Sequence, residues 1–168
     1  ASERRAQPGT RIIEEGDRAD SLIVLIAGRA KVLITGQHGR EIILTVVGPL
    51  DVVGEIGLLD GSPRSAMVKA LEDVVYLKMD GEAFLECLDT NAAFASKVAR
   101  HVASTVRQTD DQLRVISTLP ASHRVAWCLW RLARRRMPAS GKGLVLDRHV
   151  LHRDIADMTG CSRETVTR

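Results

Sequence analysis

The stretch that most restricts the fold is "NAAFASKVARHVASTVRQTDDQLRVIS", residues 91–117, which holds no glycine and no proline. Its apolar or small residues fall at Ala95, Val98, Val102, Thr105, Thr109, Leu113 and Ile116, in steps of three and four. That spacing lines them along one side of a helix, close to the heptad seam through which helices pair. At 1.5 Å per residue the helix is about 40 Å long. Two packings would cover the seam: the helix lies on its own domain, or it pairs with a second copy. A small domain cannot cover a helix of that length, so pairing is favoured and a homodimer is expected.

The chain ahead of this helix differs in kind. Residues 8–83 read as short strands: "SLIVLIAGRAKVLI" (21–34), "REIILTVVGPLDVVGEIG" (40–57) and "RSAMVKALEDVVYLKM" (64–79). Turn signals interrupt them at Gly16-Asp17, Gly36-Gln37-His38-Gly39, Gly48-Pro49 and Asp60-Gly61. Short strands at even spacing predict a small β-barrel or roll. "DGEAFLECLDT" then predicts a short helix before the long one.

Pro120 ends the long helix. "SHRVAWCLWRLARRRM" (122–137) predicts an amphipathic helix, in which Trp127 and Trp130 serve core or interface. "PASGKG" (138–143) reads as a loop and "LVLD" as a short strand. "HVLHRDIADMTGCSRETVTR" (149–168) reads as helix, turn, helix, with Leu151–Met158 first, Thr159-Gly160-Cys161 as the turn and Ser162 capping the second. The expected fold class is therefore α+β. It comprises a β-roll over 1–90, a dimerisation helix over 91–119 and a helix-turn-helix domain over 120–168. The sequence stops inside the last helix, so that domain is expected to be C-terminally incomplete.

Charge is divided unevenly. Residues 1–96 carry 10 Lys+Arg against 15 Asp+Glu, whereas residues 97–168 carry 14 against 6. An acidic half joined to a basic half points the second half at a polyanion. In a helix-turn-helix, the start of the second helix enters the major groove. Arg163, Glu164 and Arg168 can project there, with Val166 turned inward. Arg bonds guanine O6 and N7 together, and Glu accepts from cytosine N4, each good pair giving roughly 1–3 kcal/mol of base discrimination. Ser162 and Thr165 suit phosphate oxygens. With Arg153 on the preceding helix, these form the candidate interface with double-stranded DNA.

The three cysteines, Cys87, Cys128 and Cys161, are scattered and form no CxxC. Neither a disulfide framework nor a zinc site is expected, and a reducing, cytoplasmic setting fits. No apolar run nears the roughly 20 residues of a membrane span, and no signal peptide is visible. No nucleophile–base pair or metal-ligand cluster is apparent, so neither an enzyme nor a bound metal is expected.

A second stretch, "GEIGLLDGSPRSA" (54–66), sets a carboxylate, a guanidinium and a hydroxyl among glycines. It resembles the phosphate-binding cassette of the CRP/FNR family of cyclic AMP receptor proteins. "GCSRETVTR" resembles that family's recognition helix, and residues 91–117 its dimerisation helix. The resemblance runs from Pro8 to Arg168.

The resemblance implies a ligand site. Glu55, after Gly54, would bond a ribose 2′-hydroxyl. Arg64 would hold a cyclic phosphate with help from Ser65 and backbone N–H groups, a pairing suited to the guanidinium fork. Val32, Leu44, Ile56 and Ala66 would line the wall. Thr109 and Asp110 would contact the base. It further implies a palindromic TGTGA-type DNA site, with RNA polymerase as a partner.

Three departures stand out. Asp110 replaces a family Ser, Thr105 stands where an Arg is frequent, and the cassette is one residue shorter between Glu55 and Arg64. Asp110 can accept from the adenine amino group, or from guanine N1–H and N2–H together. Cyclic AMP is favoured and cyclic GMP stays open. Haem-binding relatives would need axial ligands, whereas His38 and His101 read as surface residues. The competing functions are a nucleotide-binding module that regulates another effector, and a same-family sensor of a different ligand.

Overall fold

The computed structural model describes residues 1–36, 39–134 and 150–168. The expected 138–143 loop, the 144–147 strand and His38 lie outside the described residues. Packing divides the chain into two units, Ala1–Arg107 and Gln108–Arg168. A single helix, α3 (Ala92–Thr118), continues from one into the other.

The first unit is built on two four-stranded antiparallel sheets. One runs β1 (Ser2–Ala6), β8 (Val74–Asp80), β3 (Ser21–Ala27), β6 (Val52–Val53). The other runs β2 (Arg11–Ile13), β7 (Met67–Ala70), β4 (Ala30–Thr35), β5 (Glu41–Val47). One apolar cluster takes a residue from every strand of both sheets, from Ala6 and Ile13 to Val68 and Val74. With aromatics at 3%, small aliphatic groups fill this core. The expected roll is thus present, with finer divisions. The 21–34 stretch folds back at Gly28 (φ 75°), and the 64–79 stretch breaks at Leu71–Asp73 into β7 and β8.

Strand β1 was not legible. Its residues are exposed up to Ala6, so it has no apolar alternation, and backbone pairing with β8 defines it. The short helix α1 (Glu55–Asp60) was also unexpected, because it falls across the end of the 40–57 strand stretch and the Asp60-Gly61 turn signal. Helix α2 (Gly81–Thr90) begins where Asp80 accepts from the Glu82 N–H at 2.9 Å. This is a side-chain N-cap of the usual kind.

A second cluster joins Leu22, Leu58 and Phe84 to Phe94 and Val98 of α3. Phe84 and Phe94 meet edge to face, with centroids 5.9 Å apart. The first turns of α3 therefore lie on the roll. Val98, read as part of the helix-pairing seam, is used inside the chain instead. Further along, Val106 is 54% exposed and Leu113 63% exposed.

In the second unit, α4 (Ala121–Arg134), α5 (His152–Thr159) and α6 (Arg163–Thr167) pack with the end of α3. The core includes Cys128, Ala133, Ile155, Ala156, Met158 and Cys161. Burial pushes the Cys128 thiol up to about 11, so it behaves as an apolar group. Gln112 is the buried residue of α3; its amide donates to the Met158 carbonyl at 3.4 Å and accepts from Arg131 at 3.3 Å.

Candidate functional site

The geometry around residues 54–66 begins with Gly54. It sits in the left-handed region at φ 89°, and a Cβ there would come within 2.6 Å of Arg64 Nη1. A glycine is needed for both reasons. The turn delivers Glu55 into the first position of α1, where it is 6% exposed. Arg64, equally buried, lies ahead of β7.

These two buried charges do not pair with each other. Arg64 Nη1 donates to the Gly54 carbonyl at 2.8 Å, and Nη2 donates to the Ser21 carbonyl at 2.7 Å. Nη2 also reaches Ser21 Oγ at 3.1 Å and Asp20 Oδ1 at 3.2 Å. Asp20 receives Lys78 at 3.4 Å as well. The Ser21 hydroxyl first, and the cations Lys78 and Arg64 after it, hold the Asp20 carboxyl below its usual value. The Nε–H of Arg64 makes no hydrogen bond among the described residues. Glu55 Oε1 lies 3.4 Å from His101 Nε2 on α3.

The other candidates occupy the surroundings in different degrees. Ser65 is exposed, Ala66 half-buried, and Ile56 40% exposed. Val32 pairs with Val68 and Thr45. Leu44 falls where the β4–β5 register shifts, and both it and Val32 are half-buried. Thr109 and Asp110 belong to the second unit, exposed on α3. The group gathered around Arg64 consists of first-unit residues alone.

Sequence reading missed Asp20, Ser21 and the contact of His101. No local pattern marks them: Ser21 and Arg64 stand 43 residues apart and meet through the strand layout. His101, read as a surface residue, has a side chain 39% exposed and faces Glu55.

In the second unit, Ser162 caps α6: its Oγ accepts from the Thr165 N–H at 3.2 Å and lies 3.0 Å from Thr165 Oγ1. Gly160, at φ 64°, ends α5 and turns the chain. Arg124 of α4 donates to the Thr159 carbonyl at 2.9 Å, tying that turn to the core. Arg153, Arg163, Glu164 and Arg168 are exposed, and Thr165 and Val166 half-buried. The first helix begins one residue later than expected, at His152 rather than Leu151.

A β-roll with a buried Arg and Glu that do not pair with each other, followed by a long helix and a helix-turn-helix, defines a ligand-controlled DNA-binding regulator. The family model for the cyclic nucleotide-binding domain matches residues 3–91, and that for the Crp-like helix-turn-helix domain matches residues 123–168. The cyclic AMP receptor protein of Thermus thermophilus is 32% identical over 167 residues, which are 99% of this chain and 74% of that protein. A CRP-like cAMP-activated global transcriptional regulator of Mycobacterium tuberculosis is 29% identical over 160 residues, 95% of this chain and 71% of that one. FixK2 from Bradyrhizobium japonicum shares the fold, with a TM-score of 0.88 at 23% identity over 100% of this chain and 81% of its own. The chain belongs to the CRP/FNR family of cyclic-nucleotide-dependent, DNA-binding transcription regulators. Among the described residues, no helix is long and apolar enough to cross a membrane.

Proposed function

We propose that the chain is a homodimeric regulator, without enzymatic activity of its own, whose affinity for a palindromic TGTGA-type site is set by cyclic AMP. The observation that carries the ligand assignment is the state of Arg64. It is 6% exposed, two of its bonds go to neutral carbonyls, and its acidic partner Asp20 has a side chain 60% exposed. A buried guanidinium whose acidic partner is largely exposed is well suited to a phosphate, which it can grip at two oxygens.

In this reading Arg64 and Ser65 hold the cyclic phosphate, and Glu55 accepts from the ribose 2′-hydroxyl. Gly54 lets the backbone approach, while Val32, Leu44, Ile56 and Ala66 wall the site. Thr109 and Asp110 read the base, and Asp110 decides between cyclic AMP and cyclic GMP. The roll over 1–90 captures ligand, the helix over 91–119 pairs two subunits, and residues 120–168 bind DNA. Exposed Val106, Leu113 and Ile116 on α3 support the pairing. In the groove, Arg163, Glu164 and Arg168 reach base edges, while Arg153, Ser162 and Thr165 serve the backbone. The protein works in the cytoplasm, and RNA polymerase is its partner at the promoter.

The ligand shifts DNA affinity only by binding one arrangement of the dimer better than another. Calorimetry with cyclic AMP and cyclic GMP tests the assignment. Cyclic AMP should bind more tightly, and Arg64→Ala should weaken both by about a hundredfold. Unchanged affinity in that variant would remove Arg64 from the site.

A further inference from the structure

We propose that His101 is the positioning residue for the ribose-binding carboxylate: from the long helix, it fixes the direction in which Glu55 meets a 2′-hydroxyl. This rests on the reading of Glu55 as the ribose ligand.

Glu55 is a buried carboxylate at the start of α1, and such a group is costly without a hydrogen-bonded partner. The cation nearest in sequence, Arg64, is turned to Gly54, Asp20 and Ser21. The group that faces the Glu55 carboxylate is His101, whose Nε2 lies 3.4 Å from Oε1, within ion-pair distance. Oε1 has the imidazole against it, and Oε2 remains an acceptor for a hydroxyl. A carboxylate with one oxygen engaged cannot rotate freely about its terminal torsion, and the second oxygen then points one way.

The placement of His101 is itself fixed. Phe94 and Val98, two turns and one turn ahead of it on α3, pack on the cluster around Phe84 and Leu58. Thr105, one turn beyond, donates its hydroxyl to the His101 carbonyl at 3.2 Å. The imidazole is therefore carried by a helix segment docked on the roll, yet its own side chain is 39% exposed. Its replacement should leave the fold intact.

The ligand that separates this role from a merely structural one is 2′-deoxy cyclic AMP, which lacks the hydroxyl. By calorimetry, the whole protein should prefer cyclic AMP over the deoxy analogue by about tenfold, as for one hydrogen bond to a charged group. His101→Ala should compress that preference to about twofold by weakening cyclic AMP alone. His101→Gln, which keeps an N–H donor at similar reach, should restore most of it. Glu55→Ala should erase the preference. Full preference in His101→Ala, with Glu55→Ala erasing it, overturns the role of His101 and leaves the ligand assignment standing. No preference in the unaltered protein, or none lost in Glu55→Ala, overturns both.

Discussion

Glu55 and Arg64 stand nine residues apart, both buried, and are turned to different partners: Glu55 to His101, and Arg64 to Gly54, Ser21 and Asp20. Two opposite charges left apart in a protein interior give up their mutual attraction. The gain is that each keeps bonding capacity for a third body. A cyclic nucleotide offers one, with its ribose hydroxyl and its phosphate on one small frame.

Arg64 should not be replaceable by Lys. The guanidinium bonds the Gly54 and Ser21 carbonyls at once, with Nε–H left over. A Lys ammonium is a point donor that cannot span them and grip a phosphate as well. Arg64→Lys should lose more than about tenfold in nucleotide affinity, and Arg64→Ala about a hundredfold, for two to three charge-assisted bonds. Calorimetry gives both values. Arg64→Ala should also lower stability by about 1–3 kcal/mol in urea unfolding, because buried carbonyls lose their donor.

Gly54→Ala tests the same corner from the backbone. The added methyl would meet Arg64 Nη1 at 2.6 Å, and φ would stay at 89°. Strain in that region costs about 1–3 kcal/mol, so the melting temperature should fall. Nucleotide affinity should fall with it, because Arg64 must move. A fully stable variant with unchanged affinity would mean that the corner is not so tightly built.

Asp20 gives a pH dependence of definite sign. The Ser21 hydroxyl, with Lys78 and Arg64, holds its carboxyl below the ordinary 3.8. A lowered folded pKa contributes stability that is present above the unfolded value and is lost as pH falls below it. Acid unfolding followed by circular dichroism should therefore show Asp20→Asn less sensitive to pH below about 3.8 than the unaltered protein. The effect should be small, since the Asp20 side chain is 60% exposed.

Much of the fold was legible because its cause is local. The roll followed from turn residues between aliphatic runs, the long helix from 27 residues without Gly or Pro, and the last turn from Gly160 and Ser162. Strand β1 escaped because an exposed edge strand needs no apolar alternation, and α1 escaped because a six-residue helix is too short to show a helical period between a strand stretch and a turn signal. At the candidate site, Glu55 and Arg64 were found through the cassette that contains both. Asp20, Ser21 and His101 were not, since only the strand order and the docking of α3 bring them there. The seam of α3 was read as one surface. Packing divides it: Val98 serves the roll, while Leu113 and Ile116 stay exposed, together with Val106, which the seam had omitted.

That division makes its own prediction. Leu113→Asp or Val106→Asp should weaken dimerisation by an order of magnitude or more, about 1.4 kcal/mol per tenfold. Either charge would enter an apolar seam unpaired. Sedimentation of each variant should show monomer at concentrations where the unaltered protein is a dimer. Neither change should alter the roll, because both residues are exposed within the single chain.

The recognition helix can be tested at a single base pair. Glu164 is exposed in the first turn of α6, behind the Ser162 cap. Site selection with Glu164→Ala should relax choice at one position per half-site, a loss of roughly 1–3 kcal/mol of discrimination, and leave other positions unchanged. Selection of an identical consensus would place Glu164 outside the groove.

The most direct test of ligand-controlled DNA binding is fluorescence anisotropy on a TGTGA palindrome, titrated with protein with and without saturating cyclic AMP at fixed salt. The nucleotide should tighten DNA binding by at least tenfold, and Arg64→Ala should bind weakly under both conditions. Equal affinity with and without cyclic AMP in the unaltered protein would contradict the account.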